Sequence, residues 1–194
     1  DGFKEVHDSV RGIPGTFEAA MRGIKNLKES GVKIGICLTI HNKNFHQVLP
    51  LFYSFRKLVD FVSFQPVHPY PPPSELSLSP EEAATLVNDL LALKEKEPSY
   101  VGPLESYIKM LKPYFAQEVP MICDAGSLYA WLNPDGQLLA CCAFEENYIG
   151  NLTKETLEDL WDSERRLHAL NAVSKCKGCL MQCTALLSMA HRGM

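Results

Sequence analysis

The sequence predicts an α/β protein followed by a small cysteine-rich unit of α+β character. Helical stretches and short β-branched runs alternate as helix–strand–helix–strand, an order that builds parallel strands joined by right-handed crossovers. Six of the seven cysteines lie from Cys123 onward, which sets the tail apart from the rest.

The elements follow in order. Thr16 is placed to cap a helix over about 17–30, with Ala19, Ala20, Ile24 and Leu27 as its apolar face and Gly31 as its stop. The run 32–40 is mostly apolar and β-branched, as a strand buried on both faces would be, with Cys37 as a packing side chain. A second helix over about 45–58 and a second strand over 60–67 continue the pattern, and the prolines of 69–73 break it. Ser79-Pro80-Glu81-Glu82 combines a cap, a proline at the first helical position and a capping-box glutamate. That helix runs to about 97, and another spans about 104–117; the two read as a connector. In the tail, 128–132 and 137–141 flank Asn133-Pro134-Asp135-Gly136, which reads as a hairpin. Thr153 is placed to open a short helix ending near Trp161, and Ser163 a further one. The resulting division is 1–78, 79–118 and 119–194.

Composition narrows the function. The hydrophobic share is 46% and the net charge −4, with no basic block of the kind a nucleic-acid binder carries. No apolar run approaches the roughly 18 residues needed to span a bilayer. No secretion or lipidation signal is legible, so the expected compartment is the cytoplasm. Asp1-Gly2-Phe3 reads like the end of a strand entering a loop, so a preceding portion of the protein is expected.

Outside an oxidising compartment, clustered cysteines point to a thiolate metal site more than to disulfides. The spacing is Cys123-x12-Gly136-x4-Cys141, then Cys176-x2-Cys179 and Cys183, with Cys142 beside Cys141. Two intervening residues let Cys176 and Cys179 face one metal centre, and the hairpin would carry Cys123 and Cys141 to neighbouring strand ends. Four sulfurs arranged in this way suit tetrahedral zinc or an iron–sulfur cluster, and spacing does not separate the two.

The Cys-x12-Gly-x4-Cys pattern, the stretch Tyr148-Ile149-Gly150-Asn151-Leu152, Trp161 and the late CxxC resemble the SPASM/twitch extensions of radical S-adenosylmethionine enzymes. Asp1-Gly2, His7-Asp8, Arg11-Gly12 and Gly15-Thr16-Phe17 resemble the segment after the fourth barrel strand of the same enzymes. Members that mature ribosomal peptides, build the quinone cofactor PQQ or act in haem d1 synthesis look alike here. The resemblance implies the last strands of a partial (β/α)6 TIM-like barrel followed by a cluster domain. The Cys-x3-Cys-x2-Cys loop of the catalytic cluster has no counterpart upstream of Cys123. Six tail cysteines support one auxiliary [4Fe–4S] cluster, as in the twitch type, held by Cys123, Cys141, Cys176 and Cys179 with Cys183 as alternative. In the intact enzyme, the resemblance implies cleavage of S-adenosylmethionine to a 5′-deoxyadenosyl radical, which acts on a peptide or small-molecule substrate. It also implies an electron donor such as a flavodoxin or ferredoxin, and no nucleic-acid or membrane partner.

The resemblance places Asp1, Thr39, Gln65 and Pro66 toward bound S-adenosylmethionine, at the strand ends where barrel sites gather. His41 and Asn42 share that end, His41 as a satisfied surface histidine; His68 and Tyr70 border the substrate side by position alone. Arg11 either pairs with a carboxylate or, the preferred reading, holds the 12–15 loop through backbone carbonyls. Two rivals stay open. One is a zinc-stabilised structural module; the other is an electron carrier with no response to S-adenosylmethionine.

Overall fold

The computed structural model describes residues 1–67, 75–102, 104–118, 122–142, 147–176 and 178–194. The proline run, His68 and Tyr70 lie outside the described residues. The chain forms two compact units, one of 1–119 with 180–182, the other of 120–179 with 183–194.

The first unit runs α1 (Lys4–Arg11), α2 (Thr16–Glu29), β1 (Gly35–Ile40), a 3-10 turn at Phe45–Gln47, α3 (Val48–Phe55), β2 (Phe61–Pro66), α4 (Pro80–Lys96) and α5 (Glu105–Phe115). β1 and β2 pair in parallel, from Gly35 opposite Phe61 to Ile40 opposite Pro66. One face of the pair, Leu38, Ile40, Val62 and Phe64, is buried. It shares a core with Leu51 and Phe52 of α3, Leu86 and Leu90 of α4, and Tyr107, Ile108 and Leu111 of α5. Phe64 meets the Tyr107 ring at 6.3 Å between centroids, and Phe52 meets Tyr100 edge-on at 5.2 Å.

Burial on both strand faces is therefore corrected. Gly35, Cys37 and Phe61 are exposed, while Thr39, Ser63 and Gln65 on the same face are half-buried. The physical reason is the pleat: apolar side chains that alternate across a strand reach the helices on one side only. Cys37 is thus a surface side chain, and removing it leaves no cavity.

Two local expectations also change. α1 is a helix at 4–11, where the sequence reading assigns no element. α2 starts at Thr16 itself, and its cap comes from α1. The Asp8 carboxylate accepts hydrogen bonds from the N–H groups of Gly15 (2.7 Å) and Phe17 (2.8 Å) and from Thr16 Oγ1 (2.8 Å). By contrast α4 starts where its motif says. Glu82 N–H donates to Ser79 Oγ (3.2 Å) and Ser79 N–H to Glu82 Oε2 (2.8 Å), with Pro80 first in the helix.

The second unit contains β3 (Trp131–Leu132), β4 (Gln137–Leu139), β5 (Tyr148–Asn151), α6 (Leu157–Trp161), α7 (Glu164–Ser174) and most of α8 (Gln182–His191). β3, β4 and β5 form an antiparallel sheet in that order, with a bulge between Leu138 and Leu139. The hairpin turn needs its glycine: Gly136 has φ +85°, and a Cβ there would stand 2.7 Å from Thr153 Cγ2. Thr153 is spent on Asn151, donating from Oγ1 to Oδ1 at 2.6 Å. Thr156 takes the expected capping role at α6, and Ser163 caps α7 as its motif indicates. The core here is small: Ala125, Leu138, Ala140, Ile149, Leu160, Ala169 and Val173. Among the described residues no helix is long and apolar enough to cross a membrane.

Candidate metal centre

The second unit positions the cysteines by its hairpin and by the approach to α8. Cys123 and Cys141 are half-buried and pack against the same small core. Cys176 follows the end of α7, and Cys176 and Cys179 are half-buried as well. Gly178 between them has φ +76°, a left-handed conformation that suits glycine and turns the chain inside the CxxC. Cys183 lies in the first turn of α8 and is exposed, as is Cys142.

Around the sulfurs stand hydroxyl groups. Tyr129 Oη lies 3.5 Å from Cys123 Sγ, and Thr184 Oγ1 lies 3.7 Å from Cys179 Sγ. Helix α8 grips the backbone beside Cys123. Asp124 N–H donates to the buried Ser188 Oγ (2.9 Å), which lies 3.4 Å from Tyr129 Oη, and Arg192 Nη2 pairs with Asp124 Oδ1 at 2.5 Å. The Arg192 guanidinium holds the Asp124 carboxyl below the usual carboxylate range.

Among the described residues, no three of Cys, His, Asp and Glu stand together in a group ready to hold a metal ion. Cys123 and Cys141 pack on the core beside the hairpin, and Cys176 and Cys179 flank the turn at Gly178. The donor set fits an iron–sulfur cluster: its half-buried members, Cys123, Cys141, Cys176 and Cys179, are all thiols, and hydroxyl groups stand within reach of two of the sulfurs.

The first unit brings the other candidates together. Thr39 pairs with Gln65 and Ile40 with Pro66 across β1 and β2, so these candidates share the C-terminal end of the strand pair. His41, the next residue after β1, places Nε2 3.1 Å from the Asp1 carbonyl oxygen and accepts the Lys43 N–H on Nδ1 at 3.2 Å. Those partners fit the neutral ring with its proton on Nε2. His41 is buried rather than on the surface, and burial lowers its pKa from the usual imidazole value. The Asp1 side chain is 4% exposed and is paired with Arg11, so the carboxylate reading of Arg11 holds and the loop-carbonyl reading gives way. The two ends of the Gln65 amide bind the backbone at Leu180 (2.6 Å) and Gln182 (3.0 Å).

Residues 123–184 match the family model of SPASM, an iron–sulfur cluster-binding domain. The chain is 28% identical over 150 residues to the Fe-coproporphyrin III synthase of Methanosarcina barkeri, covering 75% of this chain and 35% of that protein. The later part of the chain thus carries a SPASM match, and the chain as a whole is similar to radical S-adenosylmethionine enzymes. A second relative is the antilisterial bacteriocin subtilosin biosynthesis protein AlbA of Bacillus subtilis, 23% identical over 161 residues, covering 82% of this chain and 35% of that protein. The SPASM-bearing chain thus spans about a third of the length of these relatives. Its fold matches the solved structure of native anSMEcpe with bound AdoMet and Kp18Cys peptide, at a TM-score of 0.64 and 16% identity over 91% of this chain and 55% of that one. The fold is accordingly that of part of a TIM-like barrel followed by a small cysteine-rich unit, and the SPASM match falls mostly in the second unit.

Sequence reasoning passes over Tyr129, Ser188, Arg192, Tyr107 and Gln182. Gln182 carried a signal, since it sits between two candidate ligands. Ser188 and Arg192 lie on a helix that only the fold brings to Cys123, and no local pattern marks them.

Proposed function

We propose that the intact protein is a radical S-adenosylmethionine oxidoreductase acting as a maturase, with an auxiliary [4Fe–4S] cluster in the SPASM domain. The observation that carries this reading is that all five candidate ligands, Cys123, Cys141, Cys176, Cys179 and Cys183, fall within the matched span 123–184. Cys123, Cys141, Cys176 and Cys179 are the proposed ligands, with Cys183 as the alternative; Cys142 is exposed and stands outside the set. When bound, S-adenosylmethionine and a reduced catalytic cluster supply a 5′-deoxyadenosyl radical that takes a hydrogen atom from substrate.

The residues of this chain serve that chemistry in two places. Asp1, Thr39 and Pro66 line the strand end proposed to face S-adenosylmethionine, with the neutral ring of His41 holding the Asp1 carbonyl in place. In the SPASM domain the thiols hold the auxiliary cluster, and burial and hydrogen bonds to sulfur tune its potential. The functional division assigns residues 1–78 to the barrel, 79–118 to a helical connector and 119–194 to the cluster domain. A flavodoxin or ferredoxin supplies electrons, and a reducing cytoplasm keeps the thiols available.

The proposed substrate is a peptide, supported by the peptide named with the anSMEcpe structure and by the bacteriocin role in the name of AlbA. A porphyrin is the second reading, favoured by the name of the Methanosarcina relative. The test is anaerobic reconstitution of the intact protein. Brown colour, broad visible absorbance and reductant-dependent 5′-deoxyadenosine are expected. Colourless protein with bound zinc would return the zinc-module rival. Cluster reduction without any response to S-adenosylmethionine would return the electron carrier.

A further inference from the structure

Three residues between two candidate ligands, Leu180, Met181 and Gln182, leave the cysteine-rich unit and belong to the barrel unit. Their backbone is held there from several sides. The Leu180 carbonyl accepts hydrogen bonds from Gln65 Nε2 and from Tyr107 Oη, each at 2.6 Å. The Gln182 N–H donates to Gln65 Oε1 at 3.0 Å. The Gln182 side chain is held in turn: its Oε1 accepts from Ser63 Oγ at 2.9 Å, and its Nε2 donates to the Phe64 carbonyl. Leu180 is fully buried.

Gln65 thereby does what a neighbouring strand would do. Its amide offers one donor and one acceptor to a carbonyl and an N–H two residues apart, the pairing a peptide group gives in a ladder. Gln65 and Ser63 lie on the half-buried face of β2, opposite the one that carries Val62 and Phe64. The partners on Leu180 and Gln182 tie down the three-residue span between Cys179 and Cys183.

We propose that Gln65 and Tyr107 are positioning residues for the auxiliary cluster: they anchor residues 180–182 to the barrel and so set the Cys179–Cys183 segment for iron–sulfur ligation. The inference deepens the proposed function and rests on the reading that Cys179 is a ligand. It also gives Gln65 a role different from contact with S-adenosylmethionine, because both ends of its amide are engaged.

The experiment uses the intact protein, reconstituted anaerobically, as wild type, Cys179→Ala, Gln65→Glu and Tyr107→Phe. Iron loss to a chelator and the paramagnetic resonance spectrum of the dithionite-reduced protein are followed. The auxiliary cluster is the iron phase that Cys179→Ala removes. Gln65→Glu keeps the acceptor for the Gln182 N–H and turns a carboxylate oxygen toward the Leu180 carbonyl. It should speed that phase about tenfold, in line with what loss of an outer-shell partner costs a metal site, and change the resonance lineshape with helix content unchanged. Tyr107→Phe removes one bond and should give a smaller change in the same direction. Should Gln65→Glu fail to fold, Tyr107→Phe decides by itself. A Cys179-dependent phase whose rate and lineshape are those of wild type in both variants overturns the anchoring role and leaves the cluster reading standing. A wild type with no Cys179-dependent phase ends the cluster reading and the anchoring role with it.

Discussion

Tyr129 is the residue whose chemistry bears most directly on a candidate ligand. Its hydroxyl lies 3.5 Å from Cys123 Sγ, and a hydrogen bond to a ligating sulfur favours the more negative, reduced cluster. Tyr129→Phe should therefore lower the midpoint potential of the auxiliary cluster while leaving its iron content intact. Redox titration of the reconstituted protein checks this, and an unchanged or raised potential would remove Cys123 from the ligand set. At the same scale, Cys37 is a lesson in periodicity. A run as apolar as Gly35-Ile36-Cys37-Leu38-Thr39-Ile40 reads as doubly buried, but its exposure alternates, and Cys37 faces away from the helices.

Two elements owe their starts to different devices. In α4 the capping box is local, contained in Ser79 and Glu82. Ser79→Ala should destabilise the protein by about 1 kcal/mol, read as a lowered midpoint in chemical denaturation with unchanged slope; no measurable loss would mean α4 is held by tertiary packing alone. In α2 the cap is borrowed from α1, through Asp8. The backbone N–H of Phe17, then that of Gly15, pull the Asp8 carboxyl below the usual value of 3.8. A carboxyl depressed in the folded state stabilises the fold at pH above the ordinary pKa, and that contribution is lost as pH falls through the depressed one. Asp8→Asn should therefore melt below wild type at neutral pH, and the two should converge as the pH drops below about 4. A gap in melting temperature that stays constant from neutral to acid pH would mean that Asp8 caps α2 without its charge.

Across the whole molecule, the two units differ in what can hold them. The barrel unit buries large side chains, among them Phe52, Phe64, Leu90, Tyr107 and Ile108. The tail core is built largely from alanine and single branched residues, and small units with little core need a metal or another staple. Removing iron by chelation should expose 122–176 to protease while the helices and strands before Gln117 keep most of their protection. Limited proteolysis before and after chelation reads this out; equal protection of the tail in both states would break the linkage between cluster and fold.

The sequence alone carried whatever depends on near neighbours in the chain. The capping box at Ser79, the Asp135-Gly136 turn and the order of helices and strands can be read along the chain, and each appears in the fold. With the resemblance, that was enough to indicate a partial barrel followed by a cluster domain. Tertiary structure decided what depends on groups far apart in sequence. Asp8 reaches past its own helix to cap the next, and Ser188 and Arg192 reach back to Asp124 beside Cys123. Gln65 and Tyr107 meet the chain again at Leu180. Hydrogen bonds of this kind have no periodicity to announce them. They exist because a buried backbone carbonyl or N–H must find a partner wherever the fold places one.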